Sequence, residues 1–318
     1  MNKNCLYCYK PLPEEGQADF HEHCSLAFFG TRNAPLLSYT LGEMAELAKN
    51  IVERHVTVPG VQPKLSLSVV KDALADARGG RLTVAGALGG NYIFKPPSEH
   101  YPEMPQNEHV TMRIAEAFGI HTVKSSLIRL ASGELSYITK RIDRTDAGDK
   151  IHMLDMFQIT EAFDKYKSSM EKIGKALHEH SNRTLLDKLY FFEMTVFSFL
   201  TGNNDMHLKN FSMLQSGEEW ILSPAYDLLN VCLVNPDDTE ELALTLGGKK
   251  KKLNRGSFEH LAKELDLTDR QIKGVFGRFT RHRPDAMEWM RNSFLSDELK
   301  DRYIELLNER VDRIKGPA

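Results

Sequence analysis

Apolar residues first recur at helical spacing over 41–55, where Leu41, Met44, Leu47, Ala48 and Ile51 fall on one face. A turn-rich stretch, Val56-Thr57-Val58-Pro59-Gly60-Val61-Gln62-Pro63-Lys64, ends that helix. The period then drops to two, with Leu65, Leu67 and Val69 alternating with Ser66 and Ser68. Residues 81–85 and 91–95 read as further strands, 106–118 as a helix, and 125–130 and 134–141 as two more strands. Beyond Arg144 the pattern turns helical, over 185–201, 258–265, 269–279 and 297–315, with a short strand at 220–222. This order predicts an α+β chain: a small Cys/His segment at 1–35, a strand-rich lobe at 36–144 and a helical lobe at 145–318, with a ligand cleft between the two lobes.

Composition narrows the classes of function. The 318 residues carry 41 Lys and Arg against 44 Asp and Glu, a formal net charge of −3, so no overall basic field draws the chain to nucleic acid or anionic membrane. No run of about 18 apolar residues predicts a membrane span. The first residues lack the basic-then-apolar layout of a signal peptide, so a cytoplasmic location is expected. Three of the four cysteines fall within the first 24 residues. In a reducing compartment such clustering points to metal binding before disulfides.

The chemistry concentrates in Gly202-Asn203-Asn204-Asp205-Met206-His207-Leu208-Lys209-Asn210-Phe211, which follows an apolar helix, and in Ser223-Pro224-Ala225-Tyr226-Asp227 downstream. Phosphoryl transfer needs one carboxylate to orient the attacking hydroxyl, an amide and a second carboxylate to hold magnesium, and a cation against the phosphates. Asp205 with Asn210 five positions on, followed by Asp227, has those types in that order. Magnesium takes hard oxygen ligands, which Asn210 and Asp227 offer. Asp-x4-Asn alone is equally the signature of a loop capping its neighbouring helices. Lys95 ends the apolar run Tyr92-Ile93-Phe94, where a cleft-facing lysine needs an anionic partner. The alternative is an edge lysine whose head reaches solvent. Glu108 could pair with it, and Glu116 competes two turns later.

These motifs together resemble the HipA/HipT-like serine/threonine-protein kinase toxins of bacteria. The carriers are Val58-Pro59-Gly60-Val61-Gln62-Pro63-Lys64-Leu65, Phe94-Lys95-Pro96-Pro97, Asn107-Glu108, Lys140-Arg141-Ile142-Asp143-Arg144, Asn204 to Phe211 and Ala225-Tyr226-Asp227, in the family's order. The resemblance implies a two-lobed protein-kinase-like fold that binds ATP and Mg2+. It implies Asp205 as catalytic base, Asn210 and Asp227 as magnesium ligands, and Lys95 on the phosphates. Gly60 would lie in the nucleotide loop, the backbone of Lys140 and Ile142 would hold adenine, and Glu108 and His207 would complete the nucleotide site. Thr57, three residues before the loop glycine, would be an autophosphorylation site, with Ser66 and Ser68 as alternatives. Pro59 stands where HipT-like members have a second serine. The 56 residues before Thr57 resemble the short HipT form, which implies a HipS-like small protein as well as a HipB-like DNA-binding antitoxin. The implied substrate is an aminoacyl-tRNA synthetase. A small-molecule kinase on the same scaffold, or an inactive kinase-like binding module in a repressor complex, are the rival readings.

Two features stand apart. Cys5-x2-Cys8-x12-His21-x2-Cys24 has the spacing of a small zinc knuckle, with His23 as a competing ligand and reduced, metal-free cysteines as the alternative. Gly247-Gly248 followed by Lys249 to Lys252 reads as a solvated basic surface, and Cys232 as a small buried apolar residue.

Overall fold

A computed structural model describes residues 3–13, 18–54, 65–70, 80–85, 90–98 and 100–315. Thr57 and Gly60 lie outside the described residues. The chain divides into two compact units. One comprises Met1–His109, Val123–Asp149 and Asn292–Phe294; the other Val110–Thr122, Lys150–Arg291 and Leu295–Ala318.

The first unit contains α1 (Glu22–Phe29), α2 (Leu41–Arg54) and an antiparallel sheet of β1 (Leu65–Val70), β2 (Arg81–Ala85), β3 (Tyr92–Lys95), β4 (Ser125–Arg129) and β5 (Leu135–Lys140). The strand order is β2-β1-β3-β5-β4, which makes the four-residue β3 central. Period-two alternation works as the sequence predicts: Leu65 and Leu67 are buried and Ser66 is half-buried. The register sets Leu65 opposite Phe94, and Phe94 opposite Ile138, three side chains that share the buried face. At the turn into β3, Gly90 has φ +83°, and a Cβ there would lie 2.5 Å from the Leu67 carbonyl oxygen, so glycine is required.

The Cys/His segment is built into this unit. Leu127 of edge strand β4 donates its N–H to the Leu6 carbonyl (3.3 Å). Tyr9 packs edge-on against His109 and Phe294, and its hydroxyl bonds His109 Nδ1 at 2.8 Å. Phe28 and Phe29 of α1 pack on Tyr92 of β3.

Helix α3 (Met104–Ala117) begins in the first unit and ends in the second. The second unit continues with β6 (Met153–Asp155), α4 (Met156–Ile159), α5 (Met170–His180), α6 (Thr184–Leu200), β7 (Ser212–Ser216), β8 (Glu219–Leu222), α7 (Val231–Val234), α8 (Arg255–Glu264), α9 (Asp269–Arg281), α10 (Arg283–Asn292) and α11 (Asp297–Ile314). Strands β6, β7 and β8 form a small antiparallel sheet. The core is α6, in which Phe191, Phe192, Val196, Phe197, Phe199 and Leu200 are buried. From Phe191 onward the helix is buried on every side, whereas its first turns leave Leu185, Leu186 and Tyr190 exposed. Its hydroxyls are satisfied internally: Thr195 donates to the Phe191 carbonyl, Ser198 to Met194 and Thr201 to Phe197, at 2.8–2.9 Å.

Elements outside the expected set are α1, α4, α5, α7, α10, β6 and β7. Helix α5 does carry helical spacing at Met170, Ile173, Ala176 and Leu177, all buried, and a Ser169 N-cap on the Lys172 N–H. Strand β6 has three residues and β7 has polar ends, too little for periodicity to register. Cys232 is half-buried, with the Arg310 guanidinium 3.6 Å from its sulfur, so it is less secluded than a simple apolar filler. Among the described residues no helix is long and apolar enough to cross a membrane.

Candidate functional site

In the first unit the decisive residue is Lys95. It ends the central strand and is 4% exposed, so its head does not reach solvent. Its Nζ lies 2.6 Å from Glu108 Oε1 on α3, with Glu108 2% exposed, and 5.3 Å over the Tyr137 ring. Of the two glutamates left open by the sequence, Glu108 meets Lys95, whereas Glu116 pairs with Arg113 at 2.7 Å and accepts from Thr122. An ion pair this buried is costly to assemble and is justified chiefly by fixing a charge in one place.

The segment after β5 is braced by charge. Arg141 grips Asp143 through both oxygens (2.8 and 2.6 Å), and Arg144 adds a contact at 2.7 Å. Burial alone would raise the Asp143 carboxyl, but the two guanidiniums outweigh it and hold that carboxyl below its usual range. The Lys140 N–H is committed to the Lys124 carbonyl at 3.0 Å, so of the Lys140 backbone only the carbonyl can serve a ligand. The Ile142 N–H has no partner among the described residues.

In the second unit α6 delivers the chain into the loop through Gly202, at φ +71°. A Cβ there would lie 2.7 Å from Asn230 Oδ1, and together with the left-handed backbone this close approach favours glycine. The Gly202 carbonyl accepts from the Val231 N–H at 2.9 Å, which ties the loop to the stretch just beyond Asp227. A second tie runs through Tyr226, whose hydroxyl donates to the Lys209 carbonyl (2.9 Å) and meets Ser212 Oγ (2.5 Å).

Within that frame the loop folds on the Asp205 carbonyl, which accepts from the His207 N–H (2.8 Å) and from Asn210 Nδ2 (3.0 Å). With Nδ2 so committed, Oδ1 is the Asn210 atom left for a cation. Asp227 holds φ +59°, a left-handed conformation that aspartate tolerates better than most residues. The half-buried Asp205 carboxylate accepts a hydrogen bond from the Tyr166 hydroxyl at 2.7 Å. Burial and that carboxylate push the Tyr166 phenol well above its usual range, so it remains a proton donor. His207 packs edge-on against Tyr166, and its Nδ1 is buried without a partner among the described residues. Burial lowers its pKa; the charge of Asp205 opposes this, Lys165 reinforces it and Asp227 opposes it, and the outcome is a neutral imidazole at pH 7.

Asp205, His207, Asn210 and Asp227 are therefore tied into one region of the second unit, and Lys95, Glu108, Lys140 and Ile142 belong to the first. Gly60 and Thr57 lie outside the described residues. Tyr166 and Lys165 were absent from the sequence expectations. They lie in an irregular stretch, Ala162-Phe163-Asp164-Lys165-Tyr166-Lys167, whose composition reads as a solvated loop, and nothing local marks the tyrosine.

Within the second unit, Asn210 Oδ1 and the Asp227 carboxylate are hard oxygen groups of the kind a magnesium ion takes. Comparison with known proteins points the same way. The profile of the HipA-like C-terminal domain matches residues 56–287. "Putative kinase Y4dM" of Sinorhizobium fredii is 33% identical over 233 residues, covering 68% of this chain and 55% of its own. The serine/threonine-protein kinase toxin HipA of Shewanella oneidensis is 24% identical over 212 residues, covering 60% of this chain and 47% of its own. The solved complex of HipA, HipB and operator DNA from Shewanella oneidensis matches with a TM-score of 0.67 at 20% identity, over 81% of this chain and 65% of that one. At that identity the likeness speaks to fold, and the fold is of the α+β kinase-like class. The chain spans about half the length of these two curated relatives.

Proposed function

The chain belongs to the HipA-like C-terminal domain family, and from that premise we propose that it is an ATP- and magnesium-dependent protein serine/threonine kinase, the toxin of a HipA- or HipBST-like toxin–antitoxin system. The observation that carries the reading is the hydroxyl of Tyr166 donating to Asp205 at 2.7 Å, beside an Asn210 amide turned by the Asp205 carbonyl. A carboxylate that already accepts a hydrogen bond from a hydroxyl in the resting protein can accept one from a serine or threonine hydroxyl.

Each residue then has one task. Asp205 orients the acceptor hydroxyl and takes its proton. Asn210 Oδ1 and the Asp227 carboxylate would hold the cation. Lys95, kept in place by Glu108, neutralises phosphate oxygens. The Lys140 carbonyl and the Ile142 N–H offer the acceptor and donor that an adenine edge needs. His207 packs edge-on against Tyr166, the tyrosine that bonds Asp205, and being neutral adds no charge of its own. Bound ATP supplies the phosphoryl group, and magnesium shields its charge. Catalysis by these groups is placement and electrostatic stabilisation. By family likeness Thr57 is the autophosphorylation site, an aminoacyl-tRNA synthetase the substrate, and a HipB-like antitoxin and a HipS-like small protein the partners.

The test is transfer of radiolabelled phosphate from ATP into a bacterial lysate, with wild type beside Asp205→Asn. Wild type is expected to label a discrete protein band on serine or threonine. The variant should lose about 10²–10⁴-fold in rate with an unchanged circular dichroism spectrum. Equal labelling by both proteins would remove Asp205 as the base; labelling of small metabolites alone would overturn the protein-kinase assignment.

A further inference from the structure

The Cys/His segment of the first unit takes no part in the phosphotransfer reading, yet it is built with care. Cys5 and Cys8 sit on a hairpin turn in which the Cys5 carbonyl accepts from the Tyr9 N–H and the Cys5 N–H donates to the Lys10 carbonyl, both at 2.9 Å. Tyr9 adopts φ +61° there, and Asn4 and Pro11 pair as an antiparallel bridge outside the turn. The other two residues come from the start of α1: His21 at the N-cap position and Cys24 in the first turn. The four side chains bring one atom each to within 4.8 Å of one another. His21 Nδ1 is 3.5 Å from Cys8 Sγ and 3.9 Å from Cys24 Sγ.

We propose that Cys5, Cys8, His21 and Cys24 form a closed, tetrahedral zinc site that fastens α1 and the hairpin turn to the edge of the first unit's sheet. Zinc–sulfur and zinc–nitrogen bonds of about 2.3 and 2.0–2.1 Å place tetrahedral ligands about 3.5–3.8 Å apart, so the two nitrogen–sulfur distances need little adjustment. The tautomer is set for coordination. His21 Nε2 donates to the Pro11 carbonyl at 3.0 Å, which leaves Nδ1 with its lone pair facing the sulfurs. His23, the competing candidate, is exposed and stacks on the outer side of His21 without joining the cluster. Three soft thiolates and one imidazole select zinc over magnesium or calcium. Four protein ligands leave no open position, so the metal holds structure and performs no chemistry.

The attachments give the site its consequence. The hairpin turn bonds β4 through Leu6 and Leu127, and α1 presses Phe28 and Phe29 onto Tyr92 of β3, the strand that ends in Lys95. Removing the metal should loosen this edge of the sheet, because the segment is short and zinc binding of this kind is itself folding energy.

The experiment uses the full chain purified without a metal-affinity step. Zinc is measured by mass spectrometry for wild type, Cys24→Ser, His21→Cys and His23→Ala, and hydrogen exchange is followed with and without a strong chelator. The expected results are about one zinc per chain in wild type, retention in His21→Cys and His23→Ala, and a fall of at least about tenfold in Cys24→Ser. Chelation should speed exchange at the Leu127 amide. Should Cys24→Ser fail to fold, wild type loaded with cobalt(II) decides alone: the visible absorption of tetrahedral cobalt bound by thiolates is expected. Folded wild-type protein with less than about a tenth of an equivalent of zinc and no such cobalt spectrum would overturn the proposal, as would full zinc retention in Cys24→Ser. None of these readouts depends on phosphotransfer, so the site and the kinase reading stand or fall separately.

Discussion

The two units handle charge in opposite ways. In the first, Lys95 and Glu108 sit almost wholly out of water on a central strand and a helix, each fixed by regular backbone bonding. In the second, Asp205 and Asp227 sit half-exposed on irregular chain, held by side-chain and carbonyl hydrogen bonds around Gly202, Asn210 and Tyr226. The lesson concerns what each charge is for. A cation that only needs to be in one place can be sealed into secondary structure. On the proposed reading Asp205 exchanges a proton and Asp227 a metal ion, so both remain accessible and are positioned from the side and not by burial.

The sharpest way to break this contrast is to remove one charge from each unit. Lys95→Ala leaves the buried Glu108 carboxylate without its cation, and should cost about 3–5 kcal/mol of stability. Asp205→Asn should stay within about 0.5 kcal/mol of wild type. The joint replacement Lys95→Met with Glu108→Leu should recover most of the lost stability while phosphate transfer remains absent, because packing is restored and the phosphate-facing charge is not. Urea denaturation of the four proteins measures this. Equal losses for Lys95→Ala and Asp205→Asn would erase the distinction.

A smaller effect is expected at Tyr166. Its hydroxyl occupies the acceptor position on Asp205, so Tyr166→Phe should lower KM for the protein substrate by about five-fold, the worth of one hydrogen bond near 1 kcal/mol. KM for ATP should not change. Steady-state kinetics with both substrates varied would show it; a matching change in both KM values would mean that Tyr166 holds the loop and does not occupy the acceptor position.

The smallest effect concerns the braced segment after β5. Asp143 has a folded-state pKa below its unfolded value, so its stabilising contribution is present above about pH 4 and is lost as pH falls through the folded pKa. Asp143→Asn should cost about 1 kcal/mol at pH 7, given its partial exposure, and should flatten the fall in stability below pH 4. Thermal melts from pH 3 to 7 test this: an unchanged acid slope would remove Asp143 from the account.

Much of this was legible along the chain because it depends on local period. Leu65–Val70 and Arg81–Ala85 emerge as strands over the expected residues, and α6 begins and ends within a residue of its expected bounds. Motif order likewise singled out Lys95, Asp205, Asn210 and Asp227, the residues on which the proposed phosphate and magnesium chemistry rests. Elements too short for a period to register, β6 and α7 among them, were not legible.

What the amino-acid sequence determined by itself was the alphabet of the chemistry and the rhythm of the elements: which carboxylates, amides, thiols and lysines exist, and where helices and strands recur. Tertiary structure alone decided which partners meet. It chose Glu108 over Glu116 for Lys95, His21 over His23 for the thiol cluster, and brought Tyr166 to Asp205 across 39 positions of chain. The physical reason is that pairing depends on distances of a few ångströms between side chains far apart along the backbone. Those distances follow from how elements pack, which no single window of sequence encodes.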